Sequence, residues 1–214
     1  MKRTLLFVLA LAVIPVGVDA QAPDLEETRA LAEQGYAYAQ FNLGLRYADG
    51  EGVPQNDAEA VRWYRLAAEQ GFALAQHNLG VVYREGVPQD NAEAVRWFRL
   101  AAEQGYASAQ SNLGLMYANG EGVPQDNAEA VRWFWLAAEQ GMAEAQISLG
   151  LRYALGEGVP EDDVLAYMWW NLAAAQGYEN AQDNKDLLEE RMTREQIAEA
   201  QRLSTEWLEA HPGG

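Results

Sequence analysis

Apolar positions in this chain follow a helical period and return in two alternating registers. Ala39, Leu43 and Tyr47 stand four residues apart, which places them on one face of a helix. After an intervening "DGEGVP", Ala60, Trp63, Tyr64 and Ala67 mark a second stripe on a second helix. Gly44 lies beside Leu43 inside the first helix, and glycine there costs about 1 kcal/mol relative to alanine. Its return as Gly80, Gly114 and Gly150 predicts close approach by a neighbouring helix, where any larger side chain would overpack.

The two helices, A and B, recur as a pair. The glycines closing each "AEQG" or "AAQG" are Gly35, Gly71, Gly105, Gly141 and Gly177, separated by 36, 34, 36 and 36 residues. A fixed period in this range is the signature of a stacked repeat array. Helix B is expected to start after "GVPQ", with Asn56, Asp90 and Asp126 as N-caps and Glu59, Glu93 and Glu129 at capping-box spacing. It ends at the glycine. Unit two has only "REGVP" between its helices, which predicts a tighter turn over Arg84–Val87. The array runs over residues 21–212, with units at about 36–70, 72–104, 106–140 and 142–176 and caps at 24–35 and 178–210. In the first cap Glu27, Thr28 and Arg29 replace the aromatic pair. In the last, Lys185 and Asp186 replace Leu-Gly, and Thr193 with Gln196 open a final helix. A helix of about fourteen residues is marginal alone, so each pair needs its neighbour to bury its stripe. Few β-branched residues and abundant Ala, Gln and Glu agree with an all-α chain.

The pattern carried by Ala109, Leu113, Gly114, Tyr117, Gly120, Gly122, Val123, Asn127, Ala130, Trp133, Phe134, Ala137, Ala138 and Gly141 resembles the Sel-1-like repeat, a relative of the tetratricopeptide repeat. Asn127 departs from the family's aspartate, which Asp57 and Asp163 keep. The resemblance implies a right-handed superhelix, or solenoid, of antiparallel helix pairs. It also implies an adaptor that holds other proteins, often in bacterial envelopes. A cysteine-rich branch of such proteins has been linked to β-lactam binding or hydrolysis. This chain lacks its cysteines and has no Ser-x-x-Lys, so none of that chemistry transfers.

Residues 1–20 stand outside the pattern. Lys2 and Arg3 precede an apolar run from Leu5 to Val18, and "VDA" ends at Ala20. This reads as a secretory signal cut after Ala20, with a periplasmic or secreted destination. The run is short for a membrane span. Cleavage takes 15 basic and 32 acidic residues to 13 and 31, a net charge of −18. Such a surface repels nucleic-acid phosphates and anionic lipid, and tolerates basic or neutral partners. There is no cysteine, hence no disulfide, thiol nucleophile or thiolate metal site.

No catalytic constellation is legible. His77 and His211 are the two histidines, neither paired as a metal site requires, and His211 lies in a tail expected to be disordered. "GEG" reads as turn chemistry, and Glu157, Glu161, Asp162 and Asp163 as a solvated helix start. The aromatic pairs Trp63–Tyr64, Trp97–Phe98, Trp133–Phe134 and Trp169–Trp170 read as packing and not a sugar ladder. Trp135 stands where the other units have Arg65, Arg99 and Asn171, as an exposed anchor or a patch over its neighbour.

Tetratricopeptide-like geometry lines the inner surface with helix A. It directs outward the residue before the buried alanine, the residue two after it, and the residue two after the buried leucine. These are Tyr38, Phe41 and Leu45; Leu74, His77 and Val81; Ser108, Ser111 and Leu115; Glu144, Ile147 and Leu151. The set varies on a constant frame and is mostly apolar, as peptide grooves are. The reading is a monomeric, non-catalytic adaptor for a protein or peptide, without cofactor or metal, nucleic acid or membrane span in the mature form. Tyr38, Phe41, Leu74, His77, Ser108, Ser111, Leu115, Glu144, Ile147 and Trp135 are its candidate contacts. A cell-wall fragment-binding module is the alternative; a β-lactamase-like hydrolase is the third reading.

Overall fold

Each predicted pair forms, and the pairs stack in chain order. The computed structural model describes residues 24–86 and 89–212, and the described residues contain helices and turns but no strand. The expected signal segment lies outside them. The elements are α1 (Leu25–Glu33), α2 (Ala37–Asp49), α3 (Asp57–Glu69), α4 (Ala73–Glu85), α5 (Asn91–Glu103), α6 (Ala107–Asn119), α7 (Asn127–Ala138), α8 (Ala143–Leu155), α9 (Asp163–Ala175), α10 (Glu179–Glu189) and α11 (Arg194–Ala210). Helices α2–α9 are the four A–B pairs, each pair packing closely and each B helix against the next A helix, in a helical solenoid.

The helix starts are set by local chemistry. Asn56, Asp90 and Asp126 accept the N–H of Glu59, Glu93 and Glu129 at 3.0–3.1 Å. The return half of a capping box is replaced: those glutamates turn to Arg62, Arg96 and Arg132, one turn on. Each arginine in turn lies 4.8–4.9 Å from the ring centre of the next residue, Trp63, Trp97 or Trp133. Among the described residues only α11 has a complete box, between Thr193 and Gln196.

The two members of each aromatic pair divide the packing. The second lies on the helix-A glycine of its own unit. A Cβ on Gly44, Gly80, Gly114 or Gly150 would meet the ring of Tyr64, Phe98, Phe134 or Trp170 at 2.6–2.7 Å. The first reaches back to the preceding unit. Trp97 joins the core cluster of Phe41 and Tyr64, and Trp133 that of Ala94 and Phe98. Burying a ring of this size stabilises by about 2–3 kcal/mol. Within-unit closure and between-unit adhesion are thus assigned to adjacent side chains.

A glutamine relay adds a polar tie. Gln40, Gln76, Gln110 and Gln146, one after the buried alanine, are themselves buried. Each donates to a carbonyl at the end of the preceding B helix: Ala32, Ala68, Ala102 and Ala138, at 3.1–3.3 Å. Each accepts from the glutamine closing its own unit, Gln70, Gln104, Gln140 or Gln176, at 2.7–3.0 Å. Each relay amide adds a side-chain donor to a helix-end carbonyl that already accepts the N–H of the closing glycine, Gly35, Gly71, Gly105 or Gly141. The relay stops at Gln182, which is exposed and turns to Asp186.

The edge carrying the A-to-B loops is uneven. In units three and four, Gly122 and Gly158 sit against the backbone carbonyls of Asn91 and Asn127, so close that a Cβ would lie 2.3 and 2.2 Å away. Both have positive φ, 70° and 80°. The loop of each unit thereby covers the start of the preceding B helix. In unit two α4 has its siblings' length, but Gly86 is extended (φ −77°) where Gly50, Gly120 and Gly156 are left-handed.

At the far end α11 packs on α9. Trp207 meets Trp169 edge to face and donates to Glu139 at 3.1 Å. His211, expected in a disordered tail, instead stacks on Trp207 at 4.3 Å, held by its own helix end at the Trp207 carbonyl.

Candidate interaction surface

Helix A presents the predicted positions, and their exposure separates them. Tyr38 is 63% exposed and Leu74 39%, so the first position points to solvent in units one and two. Glu144 is exposed and accepts from the Tyr178 hydroxyl at 2.6 Å; Ser108 is half-buried. The second position is largely closed. Phe41 is buried, 5.8 Å from Tyr64 and 5.2 Å from Phe72, and Ser111 is buried too. Both are too buried to serve as contacts; in units one and two the aromatic residue opening the next unit folds over this register, Phe72 over Phe41, and Tyr106, 5.1 Å away, over His77. His77 and Ile147 are half-buried.

His77 belongs to a polar cross-link. Its Nε2 accepts from Asn112 Nδ2 at 3.2 Å, Arg84 donates to Asn112 Oδ1 at 3.1 Å, and Arg84 pairs with Glu121 of the next unit's loop at 3.3 Å. Burial lowers the imidazole pKa from its ordinary 6.5, against the raising effect of its bond with Asn78. The ring is held neutral as a structural acceptor.

The third position grades from core to surface. Leu45, Val81 and Leu115 pack on the core clusters, and Leu151 is 38% exposed. The row continues past the last full unit. Leu187 holds the same register in α10 and is exposed, as is Leu155 on α8. With Ala154, Trp170, Leu188 and Arg191 they line a cleft of about 230 Å³. Sequence reasoning missed Leu155 and Leu187. The signal was available, since Leu187 keeps the leucine register in a helix dismissed as a cap.

Trp135 is exposed on α7. Its siblings Arg65 and Arg99 donate to the hydroxyls of Tyr83 and Tyr117 on the following A helix, at 2.6 and 2.7 Å. Trp135 instead turns its ring to solvent, 45% exposed. The other paired aromatics are buried and form no ladder.

Groups with shifted pKa values are dispersed among packing contacts. Tyr167 is pushed up to about 12 by burial and by its bond to Glu189, which fastens α10 to α9. Glu199 is lowered by Arg202 on the exposed face of α11. Glu161 and Asp163 both pair with Arg191, while Asp162 caps α9. Among the described residues no three His, Asp or Glu side chains are placed to hold a metal ion, and no helix is long and apolar enough to cross a membrane.

Comparison with known proteins agrees with this geometry. The Sel1 repeat model matches residues 37–72, 73–106, 107–142 and 143–178. The fold is similar to that of c5321, described as a protective antigen present in uropathogenic Escherichia coli strains. Identity is 40% and TM-score 0.81, over 86% of this chain and 40% of that one. It is also similar to a Sel1 repeat protein from Oxalobacter formigenes, at 39% identity and TM-score 0.70 over 76% of this chain and 48% of that one. The chain spans less than half the length of either structure. No curated protein sequence matches it.

Proposed function

From the premise that this chain belongs to the Sel1 repeat family, we propose that it is an exported, non-catalytic adaptor that holds a protein or peptide segment along its helix-A surface. Sel1 repeat proteins generally act through protein–protein contact. The observation that carries the reading here is the apolar row ending at Leu151, Leu155 and Leu187, exposed beside a cleft. Apolar side chains clustered at a rigid helical face are anchoring points for an extended or helical segment. Tyr38 and Leu74 offer a second apolar foothold at the other end.

A photocrosslinker placed at Leu187 or Tyr38 in the native cell envelope should yield one defined adduct. The same probe at Arg62, on the opposite face, should not. Leu151→Asp with Leu155→Asp should abolish the Leu187 adduct while leaving the helical circular dichroism unchanged. Equal labelling at all three positions, or none, counts against the helix-A surface. Amino-terminal sequencing of the envelope form should begin at Gln21 if the export reading holds.

A further inference from the structure

The cleft at the far end of the helix-A row carries a charge signature that specifies its occupant, an assignment that rests on the helix-A reading. Its walls belong to α8 and α10, with Trp170 of α9 in its lining, and residues 142–192 around it are all described. Lys185 and Asp186 stand where the other A helices carry their Leu-Gly pair, so α10 offers no apolar stripe there to a B helix of its own. α10 packs on α9, and α11 docks on α9 as well. Leu187 is left 66% exposed, the most exposed large apolar side chain among the described residues.

The charges around that leucine are one-sided. Asp183 and Glu190 stand one turn before and one turn after it on the α10 surface. Both are exposed and have no ion-pair partner among the described residues. The nearby cations are engaged. Arg191 pairs with Glu161 at 3.5 Å and with Asp163, and it donates to the Ala154 carbonyl at 3.3 Å. Lys185 donates to Asn171 at 3.3 Å and lies 5.5 Å from the Tyr167 ring centre. Arg152 pairs with Glu157. One polar side chain of the lining, the half-buried amide of Asn184, has no hydrogen-bond partner among the described residues.

We propose that the α8–α10 cleft receives a basic amphipathic helix of a partner protein. The apolar stripe of that helix lies on Leu151, Leu155 and Leu187, and lysine or arginine residues flanking the stripe meet Asp183 and Glu190. Shape selects a helix. Leu151 and Leu155 on α8, and Leu187 and Arg191 on α10, are each one turn apart, so the cleft runs between two helix edges. A groove of that form takes a helix through anchors at i and i+4. Charge selects a basic one, since an acidic segment would meet two free carboxylates and no free cation. A second copy of this chain, with 32 acidic against 15 basic residues, would add to the repulsion.

Three helical peptides that share one leucine–alanine stripe and differ in its flanks provide the test: LKKLAKKLKKLAKK, LQQLAQQLQQLAQQ and LEELAEELEELAEE. Each is titrated into the mature chain with methyl-labelled leucine. The lysine peptide should give saturable shifts at Leu151, Leu155 and Leu187, with affinity at least about tenfold above the glutamine peptide, and the glutamate peptide should bind more weakly still. Asp183→Asn with Glu190→Gln should erase most of that preference without altering helicity. Glu33→Gln with Glu69→Gln, two exposed acids at the other end of the array, should preserve it. Equal binding of all three peptides at Leu187 overturns the charge assignment and leaves the helix-A surface standing. A preference lost equally in both charge variants also overturns it, by reducing the effect to the net charge of the chain. Shifts centred elsewhere, no shifts at all, or Leu187 shifts that track protein concentration without peptide overturn it too. The surface itself is judged separately, by the Leu187 photocrosslink in the envelope.

Discussion

The seam between units one and two and the seam between units two and three are built from nearly the same residues yet close differently. Both place a ring on a helix-A glycine, both send a tryptophan backward, and both carry a glutamine relay. At the second seam Gly122 seals the start of α5; at the first, Asp57 and Val61 stay open. Helix pairing in this fold is therefore independent of loop cover. The array tolerates a two-residue deletion in a loop because the deletion touches neither aromatic nor relay.

Substitutions at the loop glycines test that division most severely. Gly122→Ala and Gly158→Ala each force a Cβ into a backbone carbonyl from a left-handed conformation, and should cost about 3 kcal/mol or more in urea unfolding. Gly52→Ala shares the positive φ, 74°, but meets only side chains, Leu25 at 3.6 Å and Arg46 at 3.9 Å, and should cost about 1 kcal/mol. Equal costs would mean that sealing contributes nothing beyond backbone conformation.

Gly80→Ala and Gly114→Ala come next. Both rings are fully buried and within 2.7 Å of the added carbon, so overpacking of about 2 kcal/mol is expected at each. Near-equality is the point: a much milder Gly80 variant would show that the open seam has relaxed the pair beside it. Gln104→Ala and Gln140→Ala, which close the relay in units two and three, should each lose about 1 kcal/mol, again alike.

The smallest effect is the pH dependence of the His77 cross-link. The folded pKa lies below 6.5, so the unfolded chain takes up the proton first. Its contribution is complete above about pH 6.5 and declines as pH falls from there through the folded value. His77→Gln should flatten that part of the stability profile, measured as the urea midpoint against pH.

Period, caps and close-approach glycines were readable in the sequence because each is a local pattern repeated four times. The close approach at Gly114 was expected, but that the Phe134 ring makes it emerges only from the packing. The relay was written equally plainly, in the glutamine of "AxAQ" and that of "AEQG", but pairing two residues 30 apart needs the packing of three helices. The burial of Phe41 was not legible for a similar reason: what covers it, Phe72, comes from the next unit. Nor does any helical stripe say that α11 docks on α9, a choice made by Trp207 finding Trp169 and Glu139. Leu187 shows the opposite error, in which polar neighbours at Lys185 and Asp186 drew attention from a preserved register.

The glutamine relay has a consequence for how such chains change length. Every internal unit donates one bond to the unit behind and accepts the same bond from the unit ahead, so its two sides are chemically interchangeable with those of any sibling. A duplicated or deleted unit restores the same handshake at the new junction and strands no amide. Growth by whole units is thereby permitted while growth by fractions is penalised, which makes array length a free variable for adapting reach to the size of what is held.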